Sequence, residues 1–141
     1  MRLATIVLGL ATIIAGLAGL FVLTAVASGG GADVTRTIAI RYSQFSESLI
    51  EVKAGVPVTF ELRNDDPILH EWIVGTLDVH ARHRTGTEPY HDAVPTEVSI
   101  PAYETRLTTV TFEHAGDYLF ICHLPGHEAY GMAGVIRVEG S

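Results

Sequence analysis

Hydrophobic and polar positions fall into two regimes along the chain. From Leu3 to Ala27 (LATIVLGLATIIAGLAGLFVLTAVA) no residue is charged and most are apolar. A continuous run of this kind is long enough to span a bilayer, which takes roughly 20 residues. Arg2 ahead of the run predicts an N-terminus on the inside and everything downstream on the outside. Ala25-Val26-Ala27 before Ser28 fits a signal-cleavage pattern, whereas a run exceeding the roughly 7–15 apolar residues of an ordinary signal core favours a retained anchor. Residues 1–27 therefore read as a signal peptide or N-terminal membrane anchor, one hydrophobic helix that meets the membrane through residues 3–27 if uncleaved. Residues 28–33, rich in glycine, form a flexible linker. Residues 34–141 form the folded domain, placed outside the cytoplasm and either membrane-anchored or secreted into the periplasm or beyond.

In the second regime the period is two. Ile38, Ile40 and Tyr42 alternate within Thr37 to Tyr42, and Val56, Val58, Phe60 and Leu62 alternate within Val56 to Leu62. Further short strands are predicted at Leu49 to Val52, His70 to Val74, Glu97 to Ile100, Arg106 to Phe112, Tyr118 to Cys122 and Gly134 to Val138. Polar turns separate them, among them Asn64-Asp65-Asp66-Pro67 and Ala115-Gly116-Asp117. No segment of this part carries a 3.6-residue apolar stripe, and no internal repeat is present. Strands of 4–8 residues divided by such turns predict an all-β sandwich or closed barrel. Gly75 to Pro95 is the irregular stretch, too long for a hairpin turn and read as a functional loop.

Charge narrows the partners. Nine basic and sixteen acidic residues occur in the chain, and all but Arg2 lie beyond the apolar run, so the rest carries eight against sixteen, a net charge of −8. A surface this acidic argues against nucleic acid and anionic lipid as partners. A single cysteine, Cys122, rules out an internal disulfide and any metal site that needs two thiolates.

The chemistry is concentrated in Cys122-His-Leu-Pro-Gly-His127-Glu-Ala-Tyr-Gly-Met132, between the last two predicted strands. A thiolate, an imidazole and a thioether are offered from one strand end and one loop. Soft sulfur with imidazole suits copper, and two His, one Cys and a weak axial Met make the blue-copper ligand set. His70, opening a strand directly after a turn, is the candidate second imidazole. A lone Cys is most often a small buried hydrophobe and a lone Met core filler. Here Cys122 is the only cysteine and Met132 the only methionine besides the initiator, both in register with His127, and the combination outweighs those readings.

In these residues the chain resembles the cupredoxins, the small blue-copper proteins of plastocyanin and azurin type. The resemblance covers roughly residues 35–139 and rests on His70, on Cys122-x4-His127-x4-Met132, and on Pro125-Gly126 and Gly131-Met132 beside the last two. It implies an eight-strand Greek-key β-sandwich and one copper ion cycling between Cu(I) and Cu(II), held by His70, Cys122 and His127 with Met132 as axial ligand. It implies a one-electron carrier, not an enzyme, with a redox protein partner docking near His127 on the rim of Leu124, Pro125, Ala129 and Met132. Packing of Trp72, Phe60, Phe112 and Phe120 is expected to hold the ligands before metal arrives. Many electron-transfer members carry Asn or Ser where this chain has Glu71, a position that tunes the cysteine sulfur. Asn64 reads as a plain turn residue or as a stabiliser of that region.

Other readings remain open. Cys-His-x3-His-x4-Met also looks like the mononuclear site of multicopper oxidases, but Ile121 stands where a histidine would precede the cysteine, and the chain has no His-x-His pair. His123 is then an exposed polar residue or an electron-exit group. The alternative function is copper handling, meaning storage, delivery or sensing without electron traffic. Zinc fits the thioether poorly. His80, His83 and His91 in the long loop, near Asp78, Glu88 and Asp92, read either as a solvated polar stretch titrating near pH ~6.5 or as a second, weaker copper or zinc site.

Overall fold

The computed structural model describes residues 34–86 and 94–140. The expected anchor or signal, the linker and His91 lie outside these residues. Among the described residues no helix is long and apolar enough to cross a membrane.

Among the described residues the predicted alternation resolves into nine strands and one helix. These are β1 (Val34–Arg41), β2 (Gln44–Phe45), β3 (Leu49–Lys53), β4 (Pro57–Asn64), β5 (His70–Gly75), α1 (Leu77–Thr85), β6 (Glu97–Ile100), β7 (Thr105–Thr111), β8 (Gly116–Ile121) and β9 (Ala133–Glu139). They form two sheets, β2-β1-β4-β7 and β3-β9-β8-β5-β6. β1 runs parallel to β4 and β3 parallel to β9; the remaining neighbours are antiparallel. This is the expected Greek-key sandwich, with the two-residue β2 as an addition. Alternate residues of β4 are buried, Val58, Phe60, Leu62 and Asn64, because one face of this mixed sheet packs on the core and the other meets water. Phe60 meets Trp72 of the opposite sheet at 4.8 Å between ring centroids. Trp72, Phe60 and Phe120 are fully buried, and burial of such a side chain contributes on the order of 1.5–3 kcal/mol.

Three local features depart from the sequence reading. Tyr42 does not extend β1: it adopts φ 57° with Ser43 at φ 54°, turns the chain into β2 and stands exposed. Gly75 to Pro95 is not all loop, since α1 occupies Leu77–Thr85 and packs on β5. The helix was invisible to hydropathy because the residues it buries are His80 and His83, an inward i, i+3 pair of imidazoles. Gly86 ends it in the left-handed conformation, φ 67°, its N–H bonding to the carbonyls of Arg82 and His83. Finally, α1 covers the outer face of β5, so β5 is buried at all six positions instead of alternating.

One glycine of the second sheet is fixed by packing. Gly134 faces Phe120 across the β8–β9 ladder. A Cβ there would lie 2.1 Å from Phe120 Cζ. The ring therefore rests on the bare backbone of β9 and meets Phe45 edge-on at 5.2 Å.

Candidate metal centre

The neighbouring strands β5 and β8 bring the two separated halves of the motif together. Their pairing sets Ile73 opposite Ile121, so Cys122, the next residue, falls beside the start of β5. There the Glu71 N–H donates to Cys122 Sγ at 3.4 Å. His70 heads the same strand. His127 arrives from the loop that joins β8 to β9, its Nδ1 3.3 Å from Cys122 Sγ. The His70 and His127 rings lie 5.0 Å apart. One ligand atom from each of His70, Cys122 and His127 falls within 4.8 Å of the others. His70 and Cys122 are fully buried and His127 is half-buried. Met132 is fully buried as well. Its N–H donates to the His127 carbonyl at 3.0 Å, and its carbonyl accepts from the Cys122 N–H at 3.2 Å, so the loop closes on itself around all three residues. Burial removes Met132 from the expected surface rim, which keeps Leu124, Pro125 and Ala129 and gains the exposed ring of Tyr130.

The aim of His70 is set by Asp66. His70 Nε2–H donates to Asp66 Oδ2 at 3.0 Å, and the same carboxylate accepts the N–H groups of Tyr42 and Ser43, each at 2.7 Å. Burial alone would raise the Asp66 carboxyl, but the Ser43 and Tyr42 N–H groups and the His70 ring outweigh it and hold it below its ordinary value. Burial pushes His70 down, against the pull of Asp66, so the ring is neutral near pH 7. With its hydrogen on Nε2, the neutral ring has its lone pair on Nδ1. That nitrogen is buried and has no hydrogen-bond partner among the described residues, which is the condition of a metal ligand whose other nitrogen is held by a carboxylate.

Asn64 is more than a turn residue. It is buried, and its Nδ2 donates to the carbonyls of Ile68, Ile100 and Pro101 at 2.7, 3.0 and 3.0 Å while Oδ1 accepts from the Asp66 N–H at 2.9 Å. It thereby ties the 65–69 loop to the end of β6 and seats Asp66. Close to the sulfur, the backbone of Glu71 does the bonding, so that contact does not depend on the side chain at this position. Burial raises the Cys122 thiol, and the N–H groups of Glu71 and Leu124 pull the other way.

A second group of imidazoles lies beneath α1. His80 Nδ1 is 2.9 Å from His123 Nε2, and the His83 ring stacks on His123 at 5.4 Å with an interplanar angle of 18°. The His123 side chain is only 6% exposed, so it is not the exposed polar residue expected. Burial first, and then the neighbouring His80, His83 and Arg84 side chains, push His123 down to about 4 against the pull of Glu128. Sequence reasoning missed this partner because it lies 43 residues from His80.

The donor set at the first centre fits copper: one thiolate-forming sulfur and two imidazoles, the sulfur and His70 buried and His127 half-buried, with the inward nitrogen of His70 unpartnered among the described residues. Comparison with known proteins agrees. Residues 32–139 match the family described as copper binding proteins, plastocyanin/azurin family. The chain is 31% identical over 117 residues to the copper-resistant cuproprotein CopI of Rubrivivax gelatinosus, covering 79% of this chain and 71% of that protein. To the copper-resistant cuproprotein CopI of Pseudomonas aeruginosa it is 28% identical over 128 residues, covering 67% and 70%. Among solved structures, dithionite-reduced auracyanin of Roseiflexus castenholzii superimposes with TM-score 0.64 at 24% identity, covering 77% of this chain and 99% of that one. Auracyanin A of Chloroflexus aurantiacus, a "blue" copper protein, superimposes with TM-score 0.58 at 28% identity, covering 76% and 99%.

Proposed function

Because the chain belongs to the plastocyanin/azurin family of copper-binding proteins, we propose that it carries single electrons through one copper ion held by His70, Cys122 and His127, with Met132 as the weaker axial ligand. The observation that carries the reading is the convergence of two imidazoles and a thiol within 4.8 Å, the inward nitrogen of His70 standing without a partner. Bound copper supplies a Cu(I)/Cu(II) couple. The protein's contribution is to keep the ligands still. Asp66 holds His70 in one tautomer and one direction, the Glu71 N–H holds the sulfur, and the Met132 backbone fastens both ends of the loop. A site so constrained changes little between oxidation states, which keeps electron exchange fast.

His127, half-buried, is the one imidazole of the set that reaches toward solvent. Electrons pass along its ring edge to a redox protein seated on Leu124, Pro125, Ala129 and Tyr130; contacts of this kind are small and transient. Burial of His70, Cys122 and Met132 withdraws these donor residues from solvent, which supports a carrier over an enzyme. The apolar run at residues 3–27 supports a place outside the cytoplasmic membrane, by anchorage or export.

Copper handling is the second reading, favoured by the name of the two curated relatives, copper-resistant cuproprotein. Cyclic voltammetry of the copper-loaded protein separates the two. A reversible one-electron wave that persists through many cycles is expected of a carrier. An irreversible wave with release of copper on reduction would refute the carrier and leave a protein that stores or delivers the metal. Failure of Cys122→Ser to remove an intense visible thiolate-to-copper band would refute the ligand assignment itself.

A further inference from the structure

Among the groups the copper site does not use, the imidazole cluster under α1 is the most developed. His80, His83 and His123 come from α1 and from the residue following Cys122; His80 and His83 each give one ring N–H to a carbonyl, and His123 turns its Nδ1 toward a carboxylate. His80 Nε2–H donates to the Leu119 carbonyl at 3.2 Å. His83 Nδ1–H donates to the Val79 carbonyl at 2.9 Å. His123 Nδ1 faces Glu128 Oε2 at 3.6 Å. A carbonyl oxygen only accepts, so the neutral His80 ring carries its hydrogen on Nε2 and its lone pair on Nδ1, the atom 2.9 Å from His123 Nε2. Metal-ligating histidines show this pattern, the outer N–H given to a carbonyl or carboxylate so that tautomer and aim are fixed. Two nitrogens bound at about 2.0–2.1 Å are separated by ~3.3–3.4 Å on a tetrahedral ion and by ~2.8–3.0 Å as neighbours on a square-planar one. The observed 2.9 Å equals the square-planar spacing and lies within about 0.5 Å of the tetrahedral one.

We infer that His80 Nδ1 and His123 Nε2 form a second metal site, suited to a divalent ion that favours imidazole, Cu(II) or Zn(II), with the His83 ring closing one side. In the metal-free protein His123 Nε2–H donates to His80 Nδ1. On binding, that hydrogen moves to His123 Nδ1, the nitrogen that faces the Glu128 carboxylate at 3.6 Å, and the two freed lone pairs form the metal bonds, with no change in the charge of either ring. Glu128 is itself fixed by Arg84, so the carboxylate that orients His123 is positioned from α1. Two nitrogen ligands bind less tightly than the thiolate set, so the first equivalent of copper goes to Cys122 and this site fills second. Its members differ from the set anticipated along the sequence: His123 takes part, and His91 is not required.

The test uses the full chain. Protein first loaded with one equivalent of copper, its visible thiolate band at maximum, is dialysed against Zn(II), and metal per protein is counted by elemental analysis. The expected result is about one zinc per chain with the thiolate band unchanged, and loss of that zinc in both His80→Phe and His123→Gln, each keeping the copper band as a check of folding. Zinc-dependent shifts of the His80 Nδ1 and His123 Nε2 resonances in 15N-labelled wild type identify the ligands without any substitution. Wild type that takes up no zinc beyond the copper, a zinc that persists in both variants, or absence of those shifts overturns the assignment and leaves the His80–His123 contact as a structural hydrogen bond.

Discussion

Replacing Asp66 by asparagine perturbs the copper centre without touching a ligand. The carboxylate is buried and accepts three hydrogen bonds, from the N–H groups of Tyr42 and Ser43 and from His70 Nε2. Asparagine is nearly isosteric, but one oxygen becomes an NH2 group that turns a donor toward a donor. Hydrogen bonds to a charged acceptor contribute about 1.5–3 kcal/mol each. Tyr42 and Ser43 hold left-handed backbone, φ 57° and 54°, which costs about 1–2 kcal/mol per residue and depends on such support. The variant should therefore lose roughly 2–4 kcal/mol of apo-protein stability, and copper affinity should fall about 10–100-fold because His70 loses the partner that aims it. Its reduction potential should rise, since a less basic imidazole favours Cu(II) less. Urea unfolding of the apo-protein and a competition titration with a copper chelator measure the two effects. Their pH dependence has a definite sign. The Asp66 carboxyl is depressed in the fold, so the unfolded chain binds more protons and the wild-type advantage is present above about pH 4 and shrinks as pH falls through the folded value. Copper affinity within twofold of wild type would refute the claim that Asp66 orients His70. A stability gap that grows on acidification would refute the charge argument.

The remaining predictions concern packing, the axial position and acid. Gly134→Ala places a Cβ against Phe120 and should cost about 1–3 kcal/mol by overpacking, seen as a lower Tm with the copper spectrum retained; an unchanged Tm would mean the ring moves aside freely. Met132→Leu should keep a coloured copper centre and raise its potential, because a weak donor to Cu(II) is lost; loss of copper binding would show that Met132 is more than axial. His70, His80 and His123 are all depressed by burial, so the apo-protein should lose stability as pH falls below about 6.5. The His123 shift to about 4 contributes at most about 2 kcal/mol of that loss between pH 8 and pH 5. Apo-protein equally stable to urea at both pH values would contradict the burial of these rings.

The sandwich and the sulfur-bearing loop were legible in the sequence for a physical reason. A half-buried strand advertises itself by period two, and Cys122, His127 and Met132 stand within one short loop whose spacing survives folding unchanged. His70 was legible only as a residue that opens a strand after a turn; the β5–β8 register that carries it to the sulfur is a long-range pairing with no local signature. Asp66 was hidden for another reason, since it reads as an ordinary turn former, while Asn64 reads either as a turn residue or as a stabiliser of the region; only the three-dimensional course of residues 64–69 turns them inward to His70 and to the end of β6. The helix escaped notice because its buried stripe is His80 and His83, residues that a hydropathy count scores as surface.

That helix also bears on why the ligand loop holds its shape. His123 follows Cys122 and Glu128 follows His127, and both neighbours are gripped by α1, through His80 and Arg84 respectively. The Arg84–Glu128 pair is partly exposed, with side chains 43% and 34% accessible, and an ion pair of that kind contributes about 0–1 kcal/mol by itself. The His80–His123 bond is different, because both rings are withdrawn from water and breaking it strands a buried polar atom at a cost of about 1–3 kcal/mol. The two contacts act on opposite ends of the six-residue span 123–128, and each fixes the residue beside a copper ligand without occupying the ligand itself. The helix α1 is therefore a splint for the metal loop, and a metal ion placed between His80 and His123 would tighten the splint at the end nearer the cysteine.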